Sequence, residues 1–327
     1  MSRGTDRSPL RLLIPGAHGQ VGRALAALAA REGVPTVALS RADLDVTDPA
    51  AVDQAVAAQV AGEGPLVVVN AASYTAVDRA ESEPAAAFAV NRDGPAHLAR
   101  ACRRHGAALV HLSTDYVFDG ESDTPYAEAD PAHPLAVYGA SKWAGEEAVR
   151  EALDAHAILR TAWVISARPG NFATTMARLA RERDALRVVA DQWGHPTPAS
   201  SVAGAALALA RRLGAGEAVG TVHLGGEPAT TWHGLAEAIV AGMRERGVRV
   251  AERVEPIPTE AYPTAARRPR NGLLNLARAR ALGLDVPDWR GGLDTILDQI
   301  CAGIGNGAGP KPPDRDDPST QSVHDHR

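Results

Sequence analysis

The feature that most constrains the fold is a short apolar segment followed by three regularly spaced glycines. The apolar segment is Arg11–Pro15, the glycines are Gly16, Gly19 and Gly22, and an alanine-rich stretch with helical character follows them. A strand, a glycine-rich turn and a helix in this order bind the pyrophosphate of a dinucleotide. Backbone N–H groups at the start of the helix face the phosphates, and the positive end of the helix dipole favours their charge. The pattern therefore predicts a nucleotide-binding α/β fold.

Apolar, strand-like segments alternate with helix-like segments through the first half of the chain. This rhythm predicts a doubly wound parallel sheet, a Rossmann-type α/β fold, with the ligand at the carboxyl ends of its strands. Gly16, Asn70 and Thr114 each follow such a segment, so we expect them at one edge of the sheet. The predicted strands are Leu12–Ile14, Val37–Leu39, Leu66–Val69, Leu109–Leu112 and Ile158–Leu159, and the predicted helices are Gln20–Arg31, Pro49–Ala61, Pro84–His105 and Tyr138–Leu153.

The pattern loosens after about residue 165, where prolines become frequent. We expect residues 10–165 to form a dinucleotide-binding domain. Residues 166–304 are expected to form mainly a smaller substrate domain, with some of its strands joining the large sheet. Residues 1–9 should be a flexible N-terminus, and residues 305–327, rich in Gly, Pro, Asp and Ser, a disordered tail.

Composition excludes several classes of function. The formal net charge is −5 without a basic stripe, so we expect no nucleic-acid partner. The longest apolar runs, such as Val202–Ala210, are far shorter than the about 20 residues that cross a bilayer. No charged leader precedes the first strand, so we expect a cytoplasmic enzyme without membrane contact. Neither Cys102 and Cys301 nor the histidines show metal-ligand spacing, so we predict no metal site, although a bound Mg²⁺ ion is compatible with the sequence.

A second motif indicates the chemistry. Tyr138 and Lys142 are four residues apart, so they lie on one face of a predicted helix. A free phenol titrates near pH ~10, and a neighbouring cation lowers that pKa and makes the phenol a better acid at neutral pH. Thr114 can hydrogen-bond the same substrate oxygen. These three candidate catalytic residues, together with the glycine turn, are typical of a short-chain dehydrogenase/reductase.

Four further blocks resemble those of the dTDP-4-dehydrorhamnose reductases, a family of extended short-chain reductases. They begin at Asn70, Ser113, Asp191 and Thr230 and read NAASYTAVDRAE, STDYVFDG, DQWGHPT and TTWH. The resemblance runs from about residue 11 to about residue 303. The chain departs from the family at Arg268–Asn275, where Asn-Gly-Leu-Leu stands in place of Asn-Ser, a basic residue and Leu. The resemblance therefore specifies the chemistry more closely than the sugar.

The resemblance implies NAD(P)H-dependent reduction of the C4 ketone of dTDP-4-dehydro-L-rhamnose to dTDP-L-rhamnose, in nucleotide-sugar biosynthesis. The reduced nicotinamide would supply hydride to C4 while Tyr138 protonates the oxygen. Lys142 would lower the Tyr138 pKa and contact the nicotinamide ribose, and Thr114 would orient and polarise the carbonyl. The implied partner is a dTDP-sugar, and the protein can be a monomer or a homodimer.

The resemblance and the glycine turn together imply which residues line the site. Arg268 is a candidate pyrophosphate partner because its guanidinium matches phosphate geometry. Asp115 can instead cap a turn, Trp163 can pack between domains, and Asn91 can make a packing hydrogen bond. The implied substrate-binding residues are Thr114, Asp115, Trp163, Asn171 and Arg268, and the implied cofactor-binding residues are Gly16, Gly19, Gln20, Val21, Gly22, Ser40, Arg41, Asp45, Val46, Ala71, Ala72, Ser73, Tyr74, Thr75, Asn91, Tyr138 and Lys142.

Two residues after the second predicted strand bear on the choice of cofactor. In NAD-binding proteins a carboxylate at this place holds the adenosine ribose. Here the strand is followed by Ser40 and Arg41, whose hydroxyl and guanidinium suit the 2′-phosphate of NADP. We therefore expect NADPH to be preferred and NADH to remain usable. Alternatively, Arg41 is only a solvated loop charge and Asp43 serves as the acidic partner of the ribose.

Rival functions share the fold. A sugar-nucleotide 4,6-dehydratase normally has an Asp-Glu pair after the threonine, whereas this chain has Asp115-Tyr116, so the motif disfavours dehydration. A 4-epimerase would hold NAD tightly and recycle it. Two alternatives stay open: a reductase of another dTDP-4-keto-6-deoxysugar, and a catalytically silent NAD(P)-binding regulatory subunit.

Overall fold

Short segments rich in Val, Leu and Ile form most of the strands, because branched apolar side chains pack well on a pleated, buried surface. The protein is described by a computed structural model that covers residues 10–304; the predicted flexible N-terminus (1–9) and disordered tail (305–327) lie outside the described residues. The strands are β1 (Arg11–Pro15), β2 (Thr36–Leu39), β3 (Leu66–Asn70), β4 (Ala108–Thr114), β5 (His156–Thr161), β6 (Val164–Ile165), β7 (Ala185–Val189), β8 (Trp193–Gly194), β9 (Thr197–Pro198), β10 (Gly220–Leu224), β11 (Thr230–Thr231) and β12 (Arg253–Ile257).

Six of these strands form one parallel sheet in the order β10–β5–β4–β3–β1–β2. Leu13 of β1 pairs with Val37 on one side and with Val68 on the other. All five predicted strands lie in this sheet, and the predicted doubly wound parallel sheet is confirmed. The chain crosses from one side of β1 to the other between β2 and β3, so a crevice opens at the carboxyl ends of β1 and β3.

Helices cover both faces of the sheet. Apolar residues of the helices at 20–31 and 199–214 pack on one face, and those of the helices at 49–60, 94–105 and 137–152 pack on the other. Within residues 10–304, no helix is long and apolar enough to cross a membrane. The helices are α1 (Gln20–Arg31), α2 (Pro49–Val60), α3 (Val77–Ser82), α4 (Pro84–Phe88), α5 (Gly94–His105), α6 (Val137–Ala152), α7 (Phe172–Glu182), α8 (Ala199–Gly214), α9 (Trp232–Glu245), α10 (Ala277–Ala281) and α11 (Trp289–Ala302).

The predicted single helix Pro84–His105 is wrong in one respect, because a π-helical turn at Ala89–Asp93 separates α4 from α5. The cause is Pro95, which has no N–H group to donate to the carbonyl oxygen of Asn91 one turn earlier. The backbone widens there, and the Asn91 carbonyl comes so close to Gly145 of α6 that a Cβ atom at Gly145 would overlap it.

Much of the chain after residue 165 builds a second apolar core. Side chains of α7, α9 and α11 pack together there, including Phe172, Met176, Leu235, Ile239 and Leu297. Strands β7 and β12 form a two-stranded parallel sheet beside them. By contrast, α8 and β10 pack in the layers of the large sheet. The division into two domains near residue 165 stays a prediction.

A buried ion pair joins α6 to the sheet. The Glu146 carboxylate on α6 accepts hydrogen bonds from Arg160 Nε at 2.9 Å and Nη2 at 2.7 Å, and both residues are at most 1% exposed. Ser113 Oγ and Arg150 Nη2 also donate to Glu146, at 2.5 and 2.6 Å. Burial raises the Glu146 pKa, but the hydrogen bonds and charges of Arg160, with help from Ser113 and Arg150, outweigh it and lower the pKa overall.

We expect Arg160→Met to lower the free energy of unfolding at pH 7 by about 3 kcal/mol, because it leaves a buried carboxylate short of its main partner. The lowered pKa of Glu146 stabilises the parent above the unfolded pKa, and this contribution is lost as pH falls through the folded pKa. The deficit of the variant should therefore shrink below pH 4.5, the ordinary pKa of a glutamate. Urea unfolding at several pH values measures it.

The matched control is Arg178→Met, which breaks the exposed Arg178–Glu182 pair on α7 and should change stability little. An equal loss of unfolding free energy in the two variants, or a loss that does not depend on pH, would show that the Glu146–Arg160 pair does not stabilise the packing of α6 on the sheet.

Candidate active site

The glycine turn approaches the end of β3 closely. Gly16 has a φ of +78°, and a Cβ atom there would overlap the backbone of Ala71 and Ala72. A Cβ atom on Gly22 would overlap the Gly16 carbonyl, so α1 packs tightly on the turn. Gly19 precedes α1 and has no side chain to cap it, so the first N–H groups of the helix remain available to an anion.

Two cavities open along the carboxyl edge of the sheet. The first, of about 440 Å³, lies against the glycine turn and α1, and the second, of about 230 Å³, lies between the sheet and the later part of the chain. Gln20, Ser113 and Tyr138 line both cavities. Of the predicted cofactor residues, the first cavity is lined by Gly19, Gln20, Val21, Ala71, Ala72, Ser73, Thr75, Tyr138 and Lys142. All five predicted substrate residues, Thr114, Asp115, Trp163, Asn171 and Arg268, line the second.

Tyr138 lies in the wall that the two cavities share. Its ring meets the ring of Tyr116 edge to face, with 5.6 Å between centroids. Gly139 lets the start of α6 lie close to the backbone of Tyr116, because a Cβ atom at position 139 would overlap the Tyr116 carbonyl. Burial raises the pKa of Tyr138, while the nearby Thr114 hydroxyl acts in the opposite direction. The phenol is therefore protonated at neutral pH, next to a hydroxyl from the end of β4.

Lys142 does not act on Tyr138 as the sequence predicted. Its Nζ donates to the Leu112 carbonyl at 2.6 Å, and the residue is 2% exposed. Burial lowers the pKa of Lys142 to about 8, although the charge of Glu146 opposes this. The expected lowering of the Tyr138 pKa by Lys142 is wrong for this arrangement, because the ammonium is directed to the strand and burial of the phenol dominates.

Asp115 lines the second cavity and has one carboxylate oxygen without a partner in residues 10–304. Its Oδ1 accepts from Thr114 Oγ1 at 3.0 Å, whereas Oδ2 is buried without a hydrogen-bond partner among the described residues. Burial raises the pKa of Asp115 to about 7. A carboxyl group that titrates near neutrality can donate or accept a hydrogen bond, so it suits a neutral polar ligand.

Trp163 combines the two alternatives left open for it. Its ring stacks on Trp232 with 3.5 Å between centroids, and Phe172 packs on the other indole at 4.6 Å. The backbone of Trp163 has a φ of 45°, in the left-handed region that residues other than glycine seldom adopt. Trp163 thus packs against α9 and lines the second cavity at the same time.

Arg268 is held by a partner that the sequence analysis did not single out. Its Nη2 lies 2.7 Å from Asp78 Oδ2, and Asp78 Oδ1 also accepts from the backbone N–H of Ala266. The Arg268 side chain is 7% exposed, so this pair is partly desolvated. Arg268 therefore brings less net positive charge to the second cavity than predicted, although several of its five N–H donors remain for an acceptor.

Two predicted contact residues have their side-chain amides fully used by the protein. Asn91 Oδ1 accepts from Ser73 and Tyr74, and its Nδ2 donates to the Tyr74 carbonyl and to Ser141 Oγ. Asn171 caps α7 with Oδ1, and its Nδ2 donates to the carbonyls of residues 166 and 168. An amide makes at most about four such bonds. The side-chain amides of both residues hold the loops that line the cavities, and direct contact of either residue with a ligand stays a prediction.

Residues near the end of β2 lie outside the two cavities. Ser40 donates through its backbone N–H and Oγ to Asp43 Oδ2, at 2.9 and 2.6 Å, which lowers the Asp43 pKa. Asp45 accepts from the N–H and Oγ1 of Thr47, and Val46 is buried against Gly94. Arg41 is exposed. The Ser40 hydroxyl, expected to face a 2′-phosphate, is thus engaged by a carboxylate.

Sequence reasoning missed several polar residues around the cavities. Ser166 Oγ donates to Gln20 Oε1 at 2.6 Å and joins the segment after β6 to the start of α1. His111 lies 3.5 Å from the Lys142 ammonium. A serine after a strand and a histidine inside one carry no local signal of a site. In residues 10–304, no group of three or more His, Cys, Asp or Glu side chains is placed to hold a metal ion.

The glycine turn generates a test with an internal control. We expect Gly16→Ala to lower the free energy of unfolding by about 2–4 kcal/mol, from positive-φ strain plus overlap with Ala71 and Ala72. Gly33→Ala meets the same kind of strain at a φ of +65° but has no atom within 4 Å of the new Cβ, so only about 1 kcal/mol is expected. Urea unfolding compares the two variants, and similar losses would refute the close-approach explanation.

Comparisons with known proteins agree with this geometry. Residues 10–301 match the family model described as the RmlD substrate binding domain. A dTDP-4-dehydrorhamnose reductase of Burkholderia thailandensis is 47% identical over 290 residues, which cover 86% of this chain and 96% of that protein. A crystal structure of a Clostridium acetobutylicum dTDP-4-dehydrorhamnose reductase has a TM-score of 0.81 at 33% identity, covering 89% of this chain and 99% of that chain. A Bacillus anthracis dTDP-4-dehydrorhamnose reductase in complex with NADP has a TM-score of 0.81 at 32% identity, with the same coverage. The chain belongs to the dTDP-4-dehydrorhamnose reductase family.

Proposed function

We propose that the protein uses NADPH to reduce the C4 ketone of dTDP-4-dehydro-L-rhamnose, giving dTDP-L-rhamnose. The observation that carries the proposal is the position of Tyr138, beside Thr114 in the wall shared by the two cavities. A dinucleotide at the glycine turn and a nucleotide sugar in the second cavity would meet at this phenol. Relatives similar over most of this chain are dTDP-4-dehydrorhamnose reductases, which supports the same substrate here.

The nicotinamide, when bound, would supply hydride, and residues of the chain would stabilise the negative charge that develops on the ketone oxygen. Tyr138 holds its proton at neutral pH, so it is a donor rather than a base toward that oxygen. Thr114, the last residue of β4, would provide a second hydrogen bond to the same oxygen. Hydrogen bonds aimed at the developing charge would act strongly once bound cofactor and substrate exclude water from this half-buried wall.

The remaining contacts fit a nucleotide sugar. Asp115, with its unpaired Oδ2, would bind a hydroxyl of the sugar ring. The stacked indole of Trp163 would cover one side of the sugar. Arg268, steadied by Asp78, would bind the pyrophosphate through its remaining donors. The free N–H groups at the start of α1 would bind the cofactor pyrophosphate.

The assay that tests the proposal follows NADPH oxidation with dTDP-4-keto-6-deoxy-L-mannose, and NMR determines the configuration of the product. Formation of dTDP-L-rhamnose is the expected result. Turnover only with another 4-keto-6-deoxysugar would replace the substrate, and cofactor binding without turnover of any such sugar would identify a silent subunit. Tightly held NAD in the purified protein would favour an epimerase.

Replacement of Tyr138 by Phe removes the proton donor and keeps the ring. We expect kcat to fall by about 10²-fold or more, the usual scale of general acid catalysis, with little change in the Kd for NADPH. Steady-state kinetics and a fluorescence titration measure the two quantities. A folded Tyr138→Phe protein with near-parent kcat would remove Tyr138 from the mechanism.

Cofactor preference depends on two opposite charges after β2. Arg41 is exposed, so its contact with a 2′-phosphate should favour NADPH by only about tenfold. The ionised Asp43 beside Ser40 works against the same phosphate. We therefore expect Arg41→Ala to remove most of the NADPH preference and Asp43→Asn to increase it, measured as the ratio of kcat/KM for NADPH and NADH.

Arg103→Ala is the matched control for this pair. Arg103 is an exposed arginine on α5 that lines a groove at the opposite edge of the sheet, beside Pro65 and Gly214. Its removal changes the net charge by the same amount and should leave the ratio unchanged. If Arg103→Ala and Arg41→Ala had equal effects, the preference would reflect overall charge and not a contact.

A further inference from the structure

A buried chain of polar groups runs from the loop after β3 to Lys142. The Ala72 N–H donates to Asn70 Oδ1 at 3.1 Å, and Asn70 Nδ2 lies 3.2 Å from His111 Nδ1. His111 Nε2 in turn lies 3.5 Å from Lys142 Nζ, which donates to the Leu112 carbonyl at 2.6 Å. Asn70 and His111 are partners in the pairing of β3 with β4, which brings their side chains together.

The two ends of this chain fix the direction of every hydrogen bond in it. A backbone N–H can only donate, so the Asn70 atom that faces Ala72 must be the oxygen. The amide nitrogen of Asn70 therefore faces His111 and donates to Nδ1. A neutral imidazole that accepts at Nδ1 carries its proton on Nε2, and that N–H points at Lys142.

The charge state of Lys142 decides whether the last link can form. An ammonium group has only donors, so it cannot accept from His111 Nε2–H. A neutral amine has a lone pair and can accept from His111 while it still donates to Leu112. The 3.5 Å separation, long for a hydrogen bond, is what two facing donors should give, whereas the 2.6 Å contact with Leu112 is an ordinary one.

We propose that His111 is a positioning residue whose ring, held in its Nε2–H form by Asn70, favours the neutral amine of Lys142. His111 is fully buried, and burial, followed by the charge of Lys142, lowers its pKa well below the ordinary value, so the ring is neutral. Burial also lowers the pKa of Lys142, to about 8, which favours the amine in the same direction.

Other charged groups surround Lys142 and His111, and some favour their charged forms while others oppose them. Glu146, one turn along α6, favours the ammonium form of Lys142, but its own charge is largely satisfied by Arg160. Arg150 on α6 and His156 on β5 disfavour a charged His111. None of these groups makes the contact with Lys142 Nζ that His111 makes.

The consequence for the reaction concerns the charge beside the cofactor. Lys142 lines the first cavity together with Tyr138. A neutral amine at this position would leave less positive charge beside the phenol and the cofactor than an ammonium group would. This inference rests on the proposed function, because it gives Lys142 a part in that reaction.

The composition of the chain allows a direct test without turnover. The sequence contains two lysines, Lys142 and Lys311. In a Lys311→Arg background, protein labelled with [¹³C]lysine gives the signal of Lys142 alone, and its Cε shift against pH gives the titration midpoint. We expect a midpoint near 8, the lowered pKa that burial gives Lys142. Two-bond ¹H–¹⁵N spectra of [¹⁵N]histidine, assigned with a His111 variant, should show the Nε2–H form.

Three variants in the Lys311→Arg background test whether His111 itself lowers the Lys142 midpoint. His111→Leu removes the facing donor and should raise the Lys142 midpoint by about half a unit to one unit. Asn70→Asp should turn the His111 proton to Nδ1, make Nε2 an acceptor for the ammonium and raise the midpoint at least as far. His223→Leu is the control, since His223 is equally buried but contacts Tyr126 and Arg160; it should leave the midpoint unchanged.

An Nδ1–H ring in the parent, or a midpoint that His111→Leu and Asn70→Asp leave in place, would overturn the proposal. So would an equal shift in His223→Leu. If His111→Leu does not fold, the parent spectra and Asn70→Asp still decide. Because the titration needs no substrate, failure of this proposal is distinguishable from failure of the reductase assay.

Discussion

The buried Glu146 carboxylate is the interaction on which the site depends. It joins three elements: α6 through its own backbone, β5 through Arg160 and β4 through Ser113. Lys142 lies one turn before Glu146, and Thr114 follows Ser113, so the same anchor places both at the carboxyl edge of the sheet. A cluster of this kind costs desolvation and contributes less net stability than its bonds suggest. Its main effect is to fix where α6 sits on the sheet.

The sequence predicts well whatever is encoded locally. The helix Gln20–Arg31 agrees with its prediction residue for residue, because a glycine turn precedes it and one apolar stripe runs along it. All five predicted strands exist and are longer than predicted, since their apolar centres are distinctive and their ends are not. The glycine turn and the rim that carries Tyr138 and Thr114 follow from the same local patterns together with the rule for parallel sheets.

What the sequence could not predict depends on contacts between distant segments. The spacing of Tyr138 and Lys142 places them on one face of α6, but only the β4 backbone shows that Lys142 points to Leu112. Arg268 has the right chemistry for a phosphate, yet its pairing with Asp78 joins positions 190 residues apart. The π-helical turn arises because Pro95 has no backbone N–H group to donate, and the apolar pattern that predicts a helix does not reveal this.

The π-helical turn also constrains how related sequences can vary. The widened backbone brings the Asn91 carbonyl against α6, where only glycine fits at position 145. Glycine inside a helix costs roughly 0.5–1 kcal/mol relative to alanine, so this position resists an otherwise stabilising change. A lineage that lost Pro95 would regain an ordinary helical turn and release position 145 from this restriction. The two positions should therefore co-evolve: descendants that keep the proline keep the glycine, and alanine becomes accessible at 145 only after the proline has gone.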